Sequence, residues 1–197
     1  ELLACPRRVS VVLDMNRRGE WRALRRGDWI QVFSGIAFWP LEPRLEEINI
    51  EDIAHALALQ CRFSGHARYH YSVAQHSILV SLIVPQEEAL AGLLHDAAEA
   101  YLADIPRPLK HLPAFAPYRM IERRLERVIA RRFNVILHTA AIVHADEVAL
   151  STERRDVMGP GPQWRELDAV PRPARIYPWT PIVAERAFLR RFKRLIS

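Results

Sequence analysis

The sequence predicts an all-α protein: one helical bundle with a small β-hairpin near its N-terminal end. Three observations predict it. Beyond residue 48, apolar side chains recur at the three- and four-residue spacing of a helix face, and proline, glycine or a capping side chain marks each break. Only the segment 29–39 pairs aromatic and β-branched runs in the manner of strands. With 50% hydrophobic and 26% charged residues among 197, the composition is that of a globular domain with a packed core, too short for two domains unless each were small. A single domain is expected over 28–197. Residues 1–27 read as an Arg-rich, aperiodic leader, flexible or left by an upstream start, with no assigned role.

The elements follow in order. Trp29-Ile30-Gln31-Val32-Phe33 and Ile36-Ala37-Phe38-Trp39 flank a Ser34-Gly35 turn, and Pro40 and Pro43 end this hairpin. Asn49 is the N-cap of a first helix, with Ile53, Ala54, Leu57 and Cys61 on one face, that stops near Ser64-Gly65. A loop rich in Arg, His and Tyr over 62–71 leads to Ser72, the cap of a second helix running to Val84. Pro85 suits the first turn of a third helix over 86–103, which Pro106 and Pro108 prevent from continuing. Pro117 opens a fourth, with Ile121, Leu125, Val128 and Ile129 inward and four arginines largely off that face. A fifth spans 139–158 and completes a helical core over 48–158. Residues 159–180 hold five prolines and read as an extended connector, and a last helix over 181–197 turns Val183, Phe188, Phe192 and Leu195 inward.

Several function classes are excluded by composition. Cys5 and Cys61 provide no disulfide framework and no Cys-based zinc finger, so any metal site must use His and carboxylates. The longest apolar stretches, such as 77–85, fall short of the roughly 20 residues that span a bilayer, and no export signal opens the chain, so a cytoplasmic protein without membrane association is expected. The net charge of +5 hints at nucleic acid, but seven arginines against three acids lie in residues 1–27 and leave 21 basic and 20 acidic residues for the body. A groove tracking a nucleic-acid backbone is therefore not supported, whereas a local basic pocket for one nucleotide is.

The chemistry concentrates in Leu93-Leu94-His95-Asp96-Ala97-Ala98-Glu99, which places three ionisable groups in an apolar helix. Burying any of them unpaired would cost several kcal/mol, and helical spacing lets all three project to one side. Two other helices repeat the anomaly: His76 lies in line with Val73, Val80 and Ile83, and Asp146 with Ile142, Val143, Ala149 and Leu150. Singly, His76 reads as a satisfied core histidine and Asp146 as a partner of Arg154 or Arg155. Jointly, one divalent cation bound by His76, His95, Asp96 and Asp146 accounts for all of them, and the ligand types suit Zn, Mn, Co, Fe, Ni or, less well, Mg.

The order His76, His95-Asp96, Asp146 resembles the H…HD…D pattern of the HD-domain phosphohydrolase superfamily, an all-helical metal-dependent fold. The blocks Val73-Ala74-Gln75-His76-Ser77, Leu94-His95-Asp96-Ala97-Ala98-Glu99 and Asp104-Ile105-Pro106-Arg107-Pro108-Leu109-Lys110 are similar to those of bacterial 5′-deoxynucleotidases. They are at least as similar to those of phage HD enzymes that strip phosphate from dATP, in which a Cys-Arg-Phe segment, here Cys61-Arg62-Phe63, precedes the first His. The similarity covers roughly residues 48–150.

This resemblance implies an HD-domain bundle in which His76, His95, Asp96 and Asp146 bind the metal, Glu99 is the neighbouring acid or base, and Asp104 helps orient the attacking water. Glu99 could instead be a surface residue paired with Arg, and Asp104 a turn residue before Pro106. The resemblance also points to Arg62 and Lys110 for the substrate phosphates; Lys110 is one of two lysines in an Arg-using chain, and its plain reading is a solvated loop residue. Phe63 either stacks on a base or closes the core behind the helix. Arg68 and Arg107 are weaker candidates, and His66, His70, His111, His138 and His144 belong to loops or surfaces. Because His111 and His138 lack the context of dinuclear branches, one metal is expected. The implied activity is release of phosphate, or of a longer phosphate chain, from a (deoxy)nucleotide. The competing expectations are a dinuclear iron oxygenase of the same fold and a non-catalytic nucleotide-sensing module. A homo-oligomer suits an enzyme of this size, but no segment identifies an interface.

Overall fold

A computed structural model describes residues 13–15, 21–23, 25–164 and 168–197. The protein is all-α with a small two-stranded antiparallel hairpin, as its periodicity predicts. Most of the 1–27 leader lies outside the described residues, but in its described part the backbones of β1 (Leu13–Met15) and β2 (Trp21–Ala23) pair antiparallel, a pairing the aperiodic sequence did not announce.

The hairpin of β3 (Ile30–Gln31) and β4 (Ala37–Phe38) pairs Ile30 with Phe38 and Gln31 with Ala37, and is shorter than 29–39 because the turn takes up 32–36. It is anchored from the helical body: Asp52 accepts the Ser34 backbone N–H at 2.6 Å and its hydroxyl at 2.9 Å, and Phe38 is buried against Tyr101 with ring centroids 4.2 Å apart.

Helix α1 (Ile50–Leu59) starts where Asn49 accepts the Glu51 N–H at 3.1 Å, but ends two residues before Cys61. Cys61 instead forms an antiparallel bridge with Ser72, which withdraws it from the helix face and closes 62–71 into a loop. Helix α2 (Val73–Ser81) is capped by the Ser72 hydroxyl, which accepts the Gln75 N–H at 3.1 Å, and its last turn loosens before Val84. The expected third helix, 86–103, is three pieces: a 3₁₀ turn at Gln86–Glu88, α3 (Ala89–Leu94) and α4 (Glu99–Leu102). Between α3 and α4 the backbone stays right-handed but bonds one residue closer, Ala97 N–H to Leu94 O at 3.0 Å and Glu99 N–H to Asp96 O at 3.0 Å. A short α5 (Arg107–Lys110) and a 3₁₀ turn at Pro113–Phe115 fill the stretch expected to be loop.

Helix α6 (Ala116–Phe133) ends at Asn134 in the left-handed conformation, with φ of 53°. Thr139 caps α7 (Ala140–Asp156), and after the irregular connector Pro181 opens α8 (Pro181–Ile196). Ile53, Leu57, Leu93, Leu94, Leu125, Ile129 and Phe188 are buried together in the core that α1, α3, α6 and α8 enclose, and full burial of a side chain such as Phe188 is worth about 1.5–3 kcal/mol. A second cluster of Val80, Val84, Ile142, Ala145 and Ala149 seats α7 against α2 and α3. Val143 and Val183, expected to face inward, are exposed, and Ala145 and Ala184 take the buried positions. The approach of α3 to α2 is closest at Gly92, where a Cβ would lie 2.9 Å from Val84 Cγ2 and 3.3 Å from Ser81 Cα. Among the described residues, no helix is long and apolar enough to cross a membrane.

Candidate metal centre

Three segments deliver the ionisable groups to one point. His76 comes from the middle of α2 and is fully buried; His95 and Asp96 come from the tightened turn after α3; Asp146 comes from α7, with its side chain 46% exposed. His76 Nε2 lies 3.3 Å from His95 Nε2 and 3.1 Å from Asp146 Oδ1. Asp96 Oδ2 is 3.2 Å from His95 Nε2 and 3.5 Å from His76 Nε2. One donor atom each from His76, His95 and Asp146 falls within 4.8 Å of the other two. Donors bound at about 2.0–2.2 Å to one cation sit about 3.0–3.5 Å apart, so these separations fit a single small divalent ion.

The other ring nitrogens fix the imidazoles. His95 Nδ1 lies 2.9 Å from the Gly92 carbonyl, and His76 Nδ1 lies 2.6 Å from Glu153 Oε1. With these bonds made from Nδ1, each Nε2 is turned toward the cluster, the arrangement that orients metal-ligating histidines. Glu153 was not singled out in the sequence, although it stands two helical turns beyond Asp146 on the same face of α7 and is fully buried. Arg62 completes the set: its guanidinium is 3.2 Å from Glu153 Oε2 and 3.6 Å from Asp96 Oδ2.

Electrostatics bind the cluster together. Burial and the Arg62 charge both oppose protonation of His76, yet Glu153 and Asp146 outweigh them and raise its pKa to about 10. Burial raises and His76 lowers the Asp146 carboxyl, which ends at about 2; the histidines and Arg62 likewise hold Asp96 well below the carboxylate range against its burial. Glu153 is pulled down by Arg62 and His76 in spite of burial. Without a cation a proton on His76 supplies the positive charge; a divalent ion can take its place.

Glu99 behaves oppositely. Burial first, then the charges of Asp96 and Asp104, push its carboxyl well above the ordinary range, and its Oε2 is buried with no hydrogen-bond partner. Asp104, partly buried, is raised chiefly by burial as well. Gln60, just past α1, ties the two segments together: its amide donates to the Glu99 carbonyl at 2.9 Å and accepts the Asp104 N–H at 3.2 Å. Backbone strain collects here. Ala103, directly before Asp104, has φ of 70° and ψ of 157°, and Phe63 and Ser64 are left-handed with φ of 56° and 51°.

The three expected substrate contacts are placed differently from one another. Arg62 reaches the centre, but from within, bound to Asp96 and Glu153. Phe63 does not close the core: it is only partly buried, with the Arg62 guanidinium 5.3 Å from its ring centroid and the Trp164 ring 5.7 Å away. Lys110 is neither a free cation nor a loop residue, because it ends α5 and pairs with the buried Glu122 of α6 at 2.5 Å. Arg68 and Arg107 are exposed. His66, His111 and His144 are exposed and His138 pairs with Glu126 at 3.0 Å, whereas His70 is half-buried.

The fold and the donor cluster define an all-α protein with a candidate cation site where three helical segments meet. No protein-family model matches the chain. It is 39% identical over 171 residues to the uncharacterized protein YfdR of Escherichia coli (strain K12), a match covering 85% of this chain and 95% of that protein. It is 34% identical over 145 residues to the uncharacterized protein RCAP_rcc00048 of Rhodobacter capsulatus, covering 66% and 74% respectively. The chain belongs to the family of YfdR.

Proposed function

We propose that this protein is an HD-type metal-dependent phosphohydrolase that releases phosphate, as a single group or as a chain, from a (deoxy)nucleotide. The observation that carries this reading is the meeting of His76 Nε2, His95 Nε2 and the Asp146 and Asp96 carboxylates, with Glu153 and Gly92 holding the imidazoles from behind. The order of these ligands along the chain, shared with the HD superfamily, supports it. A bound divalent cation supplies charge neutralisation at phosphoryl oxygens and lowers the pKa of water. The remaining work falls to the chain. Glu99, its carboxyl raised by burial and by Asp96, is the acid that passes a proton to a departing oxygen. Asp104, whose backbone N–H is held by Gln60, has the role of orienting a water in this reading, and Arg62 pairs with Asp96 and Glu153. The half-exposed Asp146 marks the side from which substrate enters.

The test is phosphate release from a panel of ribo- and deoxynucleoside mono-, di- and triphosphates with Mn, Co, Zn or Mg, alongside metal content. Turnover by the wild type, with loss of both metal and turnover in His95→Ala and Asp96→Ala, is expected. Undiminished phosphate release from variants that have lost the metal would overturn the proposal.

A further inference from the structure

A cleft of about 580 Å³ opens between the loop after α1 and the connector after α7, lined by His66, Arg68, Arg154, Arg155, Met158 and Trp164 with the backbone of 159–162. Its cations are not equivalent. Arg155 is committed to Asp156, which it shares with Arg175 and which accepts from the Arg155 Nε and a terminal nitrogen at 2.8 Å each. Arg68 and Arg154 make weaker contacts, a terminal nitrogen of Arg68 lying 3.4 Å from the Asp156 carbonyl and one of Arg154 3.1 Å from the Pro162 carbonyl. Among the described residues, neither guanidinium meets a carboxylate. Gly159 lines open space, since a Cβ there would meet nothing within 4 Å.

A series of side-chain contacts links the cleft to the metal centre. Arg154 lies 5.8 Å from the Trp164 ring, Trp164 packs on Phe63, and Phe63 on Arg62 beside Asp96. Along α7, Arg154 follows Asp146 by a rise of about 12 Å. The two cations nearer the centre are both committed, Arg62 to Asp96 and Glu153 and Lys110 to Glu122. Among the described residues, the guanidinium donors without a carboxylate partner that a substrate with more than one phosphate could meet beyond the centre are therefore those of the cleft.

Resting on the phosphohydrolase reading, we propose that this cleft is a second anion subsite, in which Arg68 and Arg154 grip a phosphate of a phosphoanhydride chain whose reacting phosphate lies at the metal centre. The forked guanidinium suits phosphate oxygens, and His66 adds a donor at the rim. The same chemistry serves a nucleoside triphosphate and a free inorganic chain.

Calorimetric titration of the full chain in EDTA with inorganic tripolyphosphate, a nucleoside triphosphate and the matching monophosphate tests the proposal. Arg68→Ala and Arg154→Ala are expected to weaken tripolyphosphate and triphosphate binding about tenfold each, the loss of one charge-assisted contact. Arg154→Lys should recover part of it, and the exposed control Arg190→Ala should bind as the wild type does. Tighter binding of the nucleoside triphosphate than of tripolyphosphate identifies a nucleotide as the source, and equal binding a free chain. Unchanged affinity in Arg68→Ala and Arg154→Ala overturns the subsite. Monophosphate turnover and metal content on the same preparations report separately on the metal centre, so normal values there with no tripolyphosphate binding reject the cleft alone.

Discussion

His76 and Glu153, both without solvent exposure, share a 2.6 Å hydrogen bond beneath the candidate cation site. The bond ties α2 to α7 and decides which imidazole nitrogen faces the metal. Its two halves can be separated. Glu153→Gln keeps an acceptor but removes the charge, and should lower cation affinity about 10–100-fold while leaving the fold intact. Glu153→Ala strands the buried Arg62 and should also cost about 3–5 kcal/mol of stability. Metal titration and urea unfolding of the two variants check this, and equal stability losses in both would contradict it.

The cation-free protein should lose stability with alkalinity. His76 titrates at about 10 in the folded chain, above its unfolded value of about 6.5, so its contribution is complete below that unfolded value and disappears as pH rises through 10. The same proton competes with the ion, so cation affinity should climb over this window and binding should release protons. Thermal midpoints at successive pH values, and binding heats in buffers of different ionisation enthalpy, measure both.

Glu99→Gln should separate activity from stability. The folded carboxyl is raised by burial and neighbouring acids, so the stability tied to its proton is present below the unfolded pKa and lost as pH rises through the folded one. The amide escapes that loss. Turnover should fall about 10²–10⁴-fold while the unfolding midpoint at neutral pH holds or rises. A variant that is both active and less stable would remove Glu99 from the acid–base role.

Ala103→Gly should stabilise the protein by about 1 kcal/mol, because φ of 70° with ψ of 157° is a conformation that suits glycine and strains alanine. Urea denaturation reads this directly. A loss in turnover alongside the gain would show that the strain helps aim Asp104.

Much of this architecture is legible in the sequence. The caps Asn49 and Ser72 stand where they were expected, and His76, His95 and Asp146 betrayed themselves as polar groups on apolar stripes. What escaped was decided by tertiary contact. The end of α1 is set by the bridge from Cys61 to Ser72, which no local pattern encodes. The tightening at His95–Asp96 contains neither proline nor glycine. Glu122 and Glu153 were not singled out in the sequence, and only the partners Lys110, His76 and Arg62 explain their burial. Glu153 had one usable signal, its seven-residue spacing from Asp146.

The pinch between α2 and α3 at Gly92 sets a gauge for the chemistry above it. His76 rides on one of these helices, and His95 is tethered to the Gly92 carbonyl on the other. A single methyl group at position 92 would act as a wedge, prising the two imidazoles apart without touching either, so the calibre of the ion pocket is governed by a residue that carries no side chain at all.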